Sequence, residues 1–343
     1  MAAMQHRIIR CLCQLTVIGL AVHWIYPVGL VAQRAPEAAA RSHPEFVVPA
    51  WAFPSPVAAL PTVFDSVTAI RVAASDRMFT DAQIHDLFNV ADWSPKIHPA
   101  MPAVIARGRK PAVFACAYCH LPTGAGRPEN AMLAGLPAAY IEQQVADLKR
   151  GVRRSAWREP YRPNTSMIAV AESATTAEVA EAARYFSRLR RVSRTRVVER
   201  TVIPHLESEL GLFFADSGAG TEVLGKRLVM VPVDAERHER RDPTVNYIAY
   251  VPPGSLVRGR KIATSGVRAG AKSCISCHGP ALRGVGVVPP IAGQSPSYIL
   301  RQLFAFKAGA RASPTGALMR EVTASLELDD MIAVAAYAGS RKP

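Results

Sequence analysis

The 343-residue chain carries six cysteines, 27 prolines and a formal net charge of +14. Arg7, Arg10 and Arg34 are the only charged side chains within residues 1–35, so a chain cleaved near there keeps a charge of +11. Such a surplus suits an acidic protein partner or an anionic lipid surface; nucleic acid is excluded as a partner if the chain is exported, as its first residues indicate.

His6, Arg7 and Arg10 precede a mostly apolar run from Cys11 to Ala32, the pattern of an export signal. The run is long enough to span a membrane, although Gln14, His23 and Pro27 weaken it as an anchor. Residues 1–35 are therefore predicted to be a signal peptide or signal anchor, and an uncleaved leader would attach the chain to a membrane. Cys11 and Cys13 belong to this leader. Residues 36–95, rich in Pro and Ala with Trp51, Phe53 and Trp93 scattered through them, are predicted to form an extended N-terminal arm that wraps the domain after it, with a short helix around Asp81 to Phe88. Asp92-Trp93-Ser94-Pro95 and His98-Pro99 read as turn and packing residues, with a docking element for a partner as the sharper alternative.

The other four cysteines fall in two pentads, Cys116-Ala117-Tyr118-Cys119-His120 and Cys274-Ile275-Ser276-Cys277-His278. Each is the attachment signal of a c-type haem. Two cysteines three apart lie on one helical face and can form thioethers to the haem vinyl groups, and the histidine that follows turns its imidazole to the iron. Two Cys-x-x-Cys pairs could instead make one four-thiolate zinc site, or each a thiol redox motif. Neither alternative explains a histidine directly after both pairs.

An internal repeat accompanies the pentads. The offset of 158 positions from Cys116 to Cys274 also pairs Gly135 with Gly293, Tyr140 with Tyr298, Gln144 with Gln302, Lys149 with Lys307, Gly151 with Gly309 and Arg153 with Arg311. Beyond a six-residue excess in the first copy the offset becomes 152, pairing Met167 with Met319 and Tyr185 with Tyr337. The chain thus contains two copies of one domain. Both read as helical. Ser295 and Pro296 open a helix that Gly309 closes, with Ile299, Leu303 and Phe306 on one face; Pro137 and Gly151 bound its counterpart, with Ile141, Val145 and Leu148. Thr175 with Glu178 is a capping box ahead of a last helix from Val179 to Leu189, matched by one from Glu327 to Ser340. Each unit is small enough for its own core to be marginal, and a covalent haem would supply the missing apolar mass.

Methionine favours ferrous iron as a sixth ligand. Met167 and Met319 sit at equivalent places, each in a Pro- and Ser/Thr-bearing stretch predicted as a loop, whereas Met132, Met230 and Met331 read as core filler. Met132 is the rival in the first site, but it lies close in sequence to His120.

The second copy reads Cys-x-x-Cys-His-Gly, Pro289-x-Ile-Ala-Gly-Gln294, Tyr298, Gln302, Phe306-Lys-x-Gly309-x-Arg311, Met319 and Ala335-Ala-Tyr337. It resembles the class I cytochrome c domain of dihaem bacterial periplasmic cytochromes, over about residues 100–190 and 253–340. The resemblance implies a mainly α fold, two covalently attached haem c groups, His/Met ligation of iron and electron transfer without substrate chemistry. It assigns Cys116, Cys119, His120 and Met167 to the first haem, and Cys274, Cys277, His278 and Met319 to the second. The first copy departs from the pattern at Leu121, where the second has Gly279, and at Ala131, where the second has Pro289. That proline's carbonyl orients the histidine through Nδ1–H in the family; an alanine carbonyl can accept the same bond.

Residues 192–252 change character. Val197-Val198, Leu228 to Val233 and Tyr247 to Val251 are short β-rich runs separated by Gly218-Ala219-Gly220 and charge clusters, so a small sheet or pair of hairpins should pack on one or both domains. Glu236 to Arg241 reads as a solvated charge run, and His205 and His238 as surface histidines. The expected division is a leader at 1–35, an arm at 36–95, cytochrome c domain 1 at 96–191, a β-rich segment at 192–252 and cytochrome c domain 2 at 253–343. The expected function is a periplasmic dihaem electron carrier, not an enzyme, running between a dehydrogenase or quinol-oxidising complex and a terminal oxidase or another cytochrome. A second reading makes it the tightly bound cytochrome subunit of one dehydrogenase, and a third, a dihaem peroxidase, needs an open iron position. Partners would be redox proteins with acidic docking surfaces.

Overall fold

The computed structural model describes residues 46–54, 63–73, 75–209 and 212–343; the leader at 1–35 and the start of the arm lie outside the described residues. After a 3-10 turn at Ala50–Ala52, strands β1 (Ala69–Ile70) and β2 (Phe79–Thr80) pair antiparallel. Helix α1 (Asp81–Ile84) follows directly, with Thr80 and Gln83 forming a reciprocal capping box. It is shorter than the helix to Phe88 that its sequence suggests. The Asp86 carboxylate accepts the Phe88 amide at 2.8 Å, a local side-chain turn that competes with the helical ladder.

The first copy comprises α2 (Ala103–Ala106), α3 (Cys116–His120), α4 (Ala138–Lys149), α5 (Arg162–Ser173) and α6 (Thr176–Ser187). Pro137 precedes α4 and Gly151, in the left-handed region, follows it. The Thr175–Glu178 capping box opens α6. Ile105, Ala117, Ile141, Ala183 and Phe186 share one buried core. The second copy comprises α8 (Ser255–Ser265), α9 (Ile275–His278), α10 (Pro296–Lys307), α11 (Ala317–Ala324) and α12 (Leu328–Ser340), where α7 (Ala235–Glu239) lies in the segment between the copies. Ser295 caps α10 by accepting the Tyr298 amide at 3.2 Å. Its buried face of Ile299, Leu303 and Phe304 meets Met331, Ile332 and Ala335 of α12.

Between the copies lie β3 (Thr195–Glu199), β4 (Val202–Glu209), β5 (Leu212–Val223), β6 (Val229–Pro232) and β7 (Tyr247–Val251). β7 is central to a three-stranded sheet, parallel to β3 and antiparallel to β6; β4 and β5 form a separate antiparallel ribbon. Burial alternates along β7, as expected for a strand with one face on a core. Tyr247, Ala249 and Val251 join the core of the second copy, and Tyr250 packs with Ile203, Leu224 and Val229 under the ribbon. Gly218 and Gly220, expected to separate strands, lie inside β5. Both are exposed, where a strand needs no packed side chain.

The arm contacts both copies rather than wrapping only the first. Phe46 meets Phe304 with ring centroids 5.4 Å apart, Phe53 stacks on Trp157 at 5.8 Å, and the Ala52 carbonyl accepts Arg301 Nη1 at 3.1 Å. Trp93, 2 % exposed, meets the edge of Phe79 and donates Nε1 to the Arg240 carbonyl at 2.6 Å. Apolar area drives this: the aromatics scattered along the arm are covered by whichever core lies nearest. The Asp92–Pro95 turn is therefore a packing element.

The two copies meet through the residues that the repeat makes equivalent. The Arg154 amide donates to the Ala310 carbonyl at 2.8 Å and the Ala312 amide to the Val152 carbonyl at 2.7 Å. Arg153 donates to the Tyr298 hydroxyl at 2.9 Å, and Arg311 to Gln144.

His98 lies beside the first copy with both ring nitrogens engaged. Nε2 is 3.1 Å from Asp92 Oδ1, and Nδ1 faces the Pro99 carbonyl and the Tyr185 hydroxyl. Burial opposes its charged form, but the Asp92 hydrogen bond and charge and the Pro99 carbonyl outweigh it and raise its pKa. A raised histidine pKa stabilises the fold below the ordinary histidine range and ceases to do so as pH rises through the folded value. His98→Gln should therefore lower the melting temperature of the haem-loaded protein more at about pH 5.5 than at about pH 9. A loss independent of pH in parallel thermal melts would contradict the ion pair.

Candidate functional site

Each pentad occupies a single helical turn: the first forms α3, and in the second Cys274 is the N-cap of α9. His120 Nδ1 lies 2.9 Å from the Ala131 carbonyl and His278 Nδ1 lies 2.8 Å from the Pro289 carbonyl. A carbonyl can only accept, so Nδ1 carries the proton and Nε2 keeps its lone pair for coordination. Burial pulls both imidazoles toward the neutral form against the opposing effect of that carbonyl. The proline of the second copy is thus dispensable for the bond, because the chain of the first copy delivers an alanine carbonyl to the same place.

The intervening loops explain how. Gly126 and Gly284, equivalent in the repeat, have φ of +66° and +81°. A Cβ on Gly126 would lie 2.5 Å from the Ala131 carbonyl oxygen, and one on Gly284 would lie 2.6 Å from that of Val288. Close backbone approach at these glycines brings the acceptor to the histidine. One turn earlier, Gly279 has φ 80° and ψ 162°, and Leu121 holds nearly the same conformation at φ 63° and ψ 154°. A leucine in this glycine region costs about 1–3 kcal/mol. Burial of its side chain, 3 % exposed, offsets this by about 1.5–3 kcal/mol.

Cys116, Cys119, Cys274 and Cys277 are free thiols. Burial, reinforced by the neighbouring cysteine, pushes Cys116 up to about 12, and burial raises Cys274 to about 11. Among the described residues no group of three or more His, Cys, Asp or Glu side chains is placed to hold a metal ion. The pairs are therefore not assembled into a four-thiolate zinc site. Two free thiols and one histidine with a free Nε2, presented on one turn, fit the thioether and iron bonds of a haem c.

Met167 and Met319 lie within α5 and α11, not in loops. Pro163 falls in the first turn of α5, where its missing N–H is tolerated, and Pro314 opens a 3-10 turn that leads into α11. Both methionines are partly exposed, Met319 against the core of its own copy. Met132, Met230 and Met331 are buried, at 5 %, 2 % and 0 % exposure. Met132 packs in the first core with its backbone held on both sides by Gln294, at 3.2 Å each.

A cluster missed by the sequence reading lies against the first pentad. The run 236–241 is solvated only at Glu236 and Glu239, and His238 is not a surface histidine. His238, 2 % exposed, has Nδ1 at 3.0 Å from the Tyr247 hydroxyl and accepts from Arg127 through Nε2. Burial, then Arg127 and Arg241, keep it neutral, with a pKa well below the usual histidine value. Arg127 lies 3.0 Å from Glu129. Arg241 donates Nη1 to the Tyr118 carbonyl at 3.0 Å and stands 3.6 Å above that ring. The repeat held the signal: Arg127 and Glu129 correspond to Val285 and Val287. His205, by contrast, is partly exposed and pairs with Glu222 at 3.1 Å.

Residues 258–341 match the model of the family "Cytochrome c". The chain is 26 % identical over 233 residues to the "Thiosulfate dehydrogenase electron acceptor" of Stutzerimonas stutzeri, covering 67 % of this chain and 80 % of that protein. It is 36 % identical over 78 residues to "Cytochrome c-554(547)" of Halothiobacillus neapolitanus, covering 20 % of this chain and 86 % of that protein. The solved structure of reduced cytochrome c4 from Pseudomonas stutzeri aligns with 22 % identity and a TM-score of 0.43, over 66 % of this chain and 93 % of that one. The chain belongs to the cytochrome c family. It is a dihaem class I cytochrome c with covalently bound haem c, mainly α-helical, and it transfers electrons rather than acting as an enzyme.

The close approach at Gly126 and Gly284 is open to test. Gly126→Ala and Gly284→Ala should each destabilise the haem-loaded protein by about 1–3 kcal/mol in denaturant unfolding. Melts indistinguishable from the parent would show that the loops relax without cost.

Proposed function

We propose that Cys116 and Cys119 attach the first haem, with His120 and Met167 as axial ligands, and that Cys274 and Cys277 attach the second, with His278 and Met319. The duplicated Nδ1–carbonyl bond carries this reading. It leaves the same coordinating nitrogen beside a free cysteine pair in both copies. The haem, once bound, supplies a one-electron ferric/ferrous couple, and a histidine–thioether ligand pair suits it to electron transfer. The chain's part is to hold each imidazole rigidly, to exclude water through the cores of α4–α6 and α10–α12, and to seat the methionines on helices. We take 96–191 and 253–343 as the two haem domains and 192–252 as the segment between them.

The chain works as a periplasmic carrier of single electrons, between a dehydrogenase or quinol-oxidising complex and a terminal oxidase or another cytochrome. The basic leader supports export, and no described helix is long and apolar enough to cross a membrane. The relative named as an electron acceptor of thiosulfate dehydrogenase supports a dehydrogenase, of thiosulfate or a similar inorganic donor, as the source of electrons. It also supports the second reading, a subunit held tightly by one dehydrogenase; copurification with a large catalytic subunit would favour it over a free carrier. The positive charge suits an acidic docking surface on the partner.

Two haems per chain, both low-spin and with a ferric methionine–iron band, are expected from an optically monitored redox titration of the exported protein. Met167→Ala should remove part of that band and Met319→Ala the rest. A site that is high-spin before any substitution, or a band unchanged in either variant, would overturn the ligand assignment.

A further inference from the structure

We infer that the segment between the two copies makes the first haem the one of higher potential, by burying the guanidinium of Arg241 against that haem's attachment loop. The inference rests on the assignment of Cys116–His120 as the attachment site.

The equivalent loops of the two copies differ in exposure. From Cys116 to Ala134 no residue is exposed, whereas Ser276, Cys277, Pro280, Ala281, Arg283 and Val285 of the second copy are. The segment around α7 covers the start of the first loop, and Gln294, Ser297 and Arg301 of the second copy bond to its later residues. Arg241 lies across Tyr118, the residue between the two cysteines' ends of the pentad, and its Nε is buried without a hydrogen-bond partner. Burial and the neighbouring Arg127 both disfavour its charged form. A guanidinium nevertheless remains protonated, so a full positive charge is held there.

The rest of the cluster does not cancel it. Arg127 and Glu129 form an ion pair at 3.0 Å and roughly neutralise each other. His238 is neutral, and the Glu239 carboxylate, on a side chain 41 % exposed, is screened by solvent. The second loop has no counterpart. Tyr118, Arg127 and Glu129 are replaced there by Ser276, Val285 and Val287. Its cations Lys272 and Arg283 are exposed, and Lys272 pairs with Glu321 at 2.6 Å.

Oxidation of a haem adds one positive charge at the iron. A fixed cation in a region shielded from water opposes that step, whereas an exposed one is screened by solvent and salt. Exclusion of water from the first loop acts in the same direction, because it removes solvation from the more highly charged ferric form. Both effects raise the first haem's potential relative to the second, so an electron arriving at the second haem is drawn toward the first.

The test is a spectroelectrochemical titration of the dihaem protein beside Arg241→Gln, Arg241→Lys and Glu129→Gln. Arg241→Gln should lower only the upper transition, by at least threefold in its reduction equilibrium constant, about 28 mV at 59 mV per tenfold. Arg241→Lys should keep most of the parent value. Glu129→Gln should move the upper transition the other way, an opposite sign that a loss of packing does not produce, and this arm stands alone if Arg241→Gln fails to fold. An upper transition unmoved by Arg241→Gln and Glu129→Gln, or a shift confined to the lower one, would overturn the inference. Peptide mass mapping of the same samples separately shows whether a haem is attached at Cys116 and Cys119.

Discussion

A histidine can present Nε2 to a metal in one orientation only if something holds its other nitrogen. In both halves of this chain that hold is a carbonyl eleven residues beyond the histidine, and much of the local fold serves to deliver it. The chain must reverse within that span, pass close to itself at Gly126 or Gly284, and enter the next long helix with its apolar face inward. The histidine, the loop and the helix are therefore one unit. A fault in any of them would tilt the imidazole, and a tilted imidazole would change both iron affinity and potential.

Duplication gave the chain two such units, and it also supplied the surface by which they join. Tyr298, Gln144, Arg153 and Arg311 belong to positions matched by the repeat, and they bond across the boundary, so each copy meets in the other the same residue types that it presents. The symmetry ends at the segment from 192 to 252. Its sheet adds to the core of the second copy, while its α7 end covers the attachment loop of the first. One added element thus leaves two similar haem loops in unlike surroundings. Distinct potentials in a dihaem carrier need no difference in ligands when the polypeptide around one site is this different.

The pentads, the repeat and the bounds of α4, α10 and α12 were legible in the sequence because each is a local pattern: fixed spacing, a cap, a helical face. The strands of the inserted sheet were legible for the same reason. What escaped depends on partners remote in the chain. Arg241 and His238 sit in a run that reads as solvated charge, and only the fold brings Tyr118, Arg127 and Tyr247 against them. The arm's aromatics could not reveal that Phe46 would meet Phe304 of the second copy, Phe53 would meet Trp157 of the first, and Trp93 the segment between. Pro163 and Pro314 suggested loops at Met167 and Met319, since a proline in a first turn looks the same in sequence as one that breaks a helix.

Both pentads are proposed to carry a haem whose iron is bound by histidine and methionine. Near-infrared magnetic circular dichroism of the fully oxidised protein, normalised to its haem content per chain, reads the ligand pair at each iron. Two haems per chain are expected, each with the charge-transfer signature of histidine–methionine ligation. One haem per chain, or a signature of bis-histidine or high-spin iron at either site, would contradict that assignment.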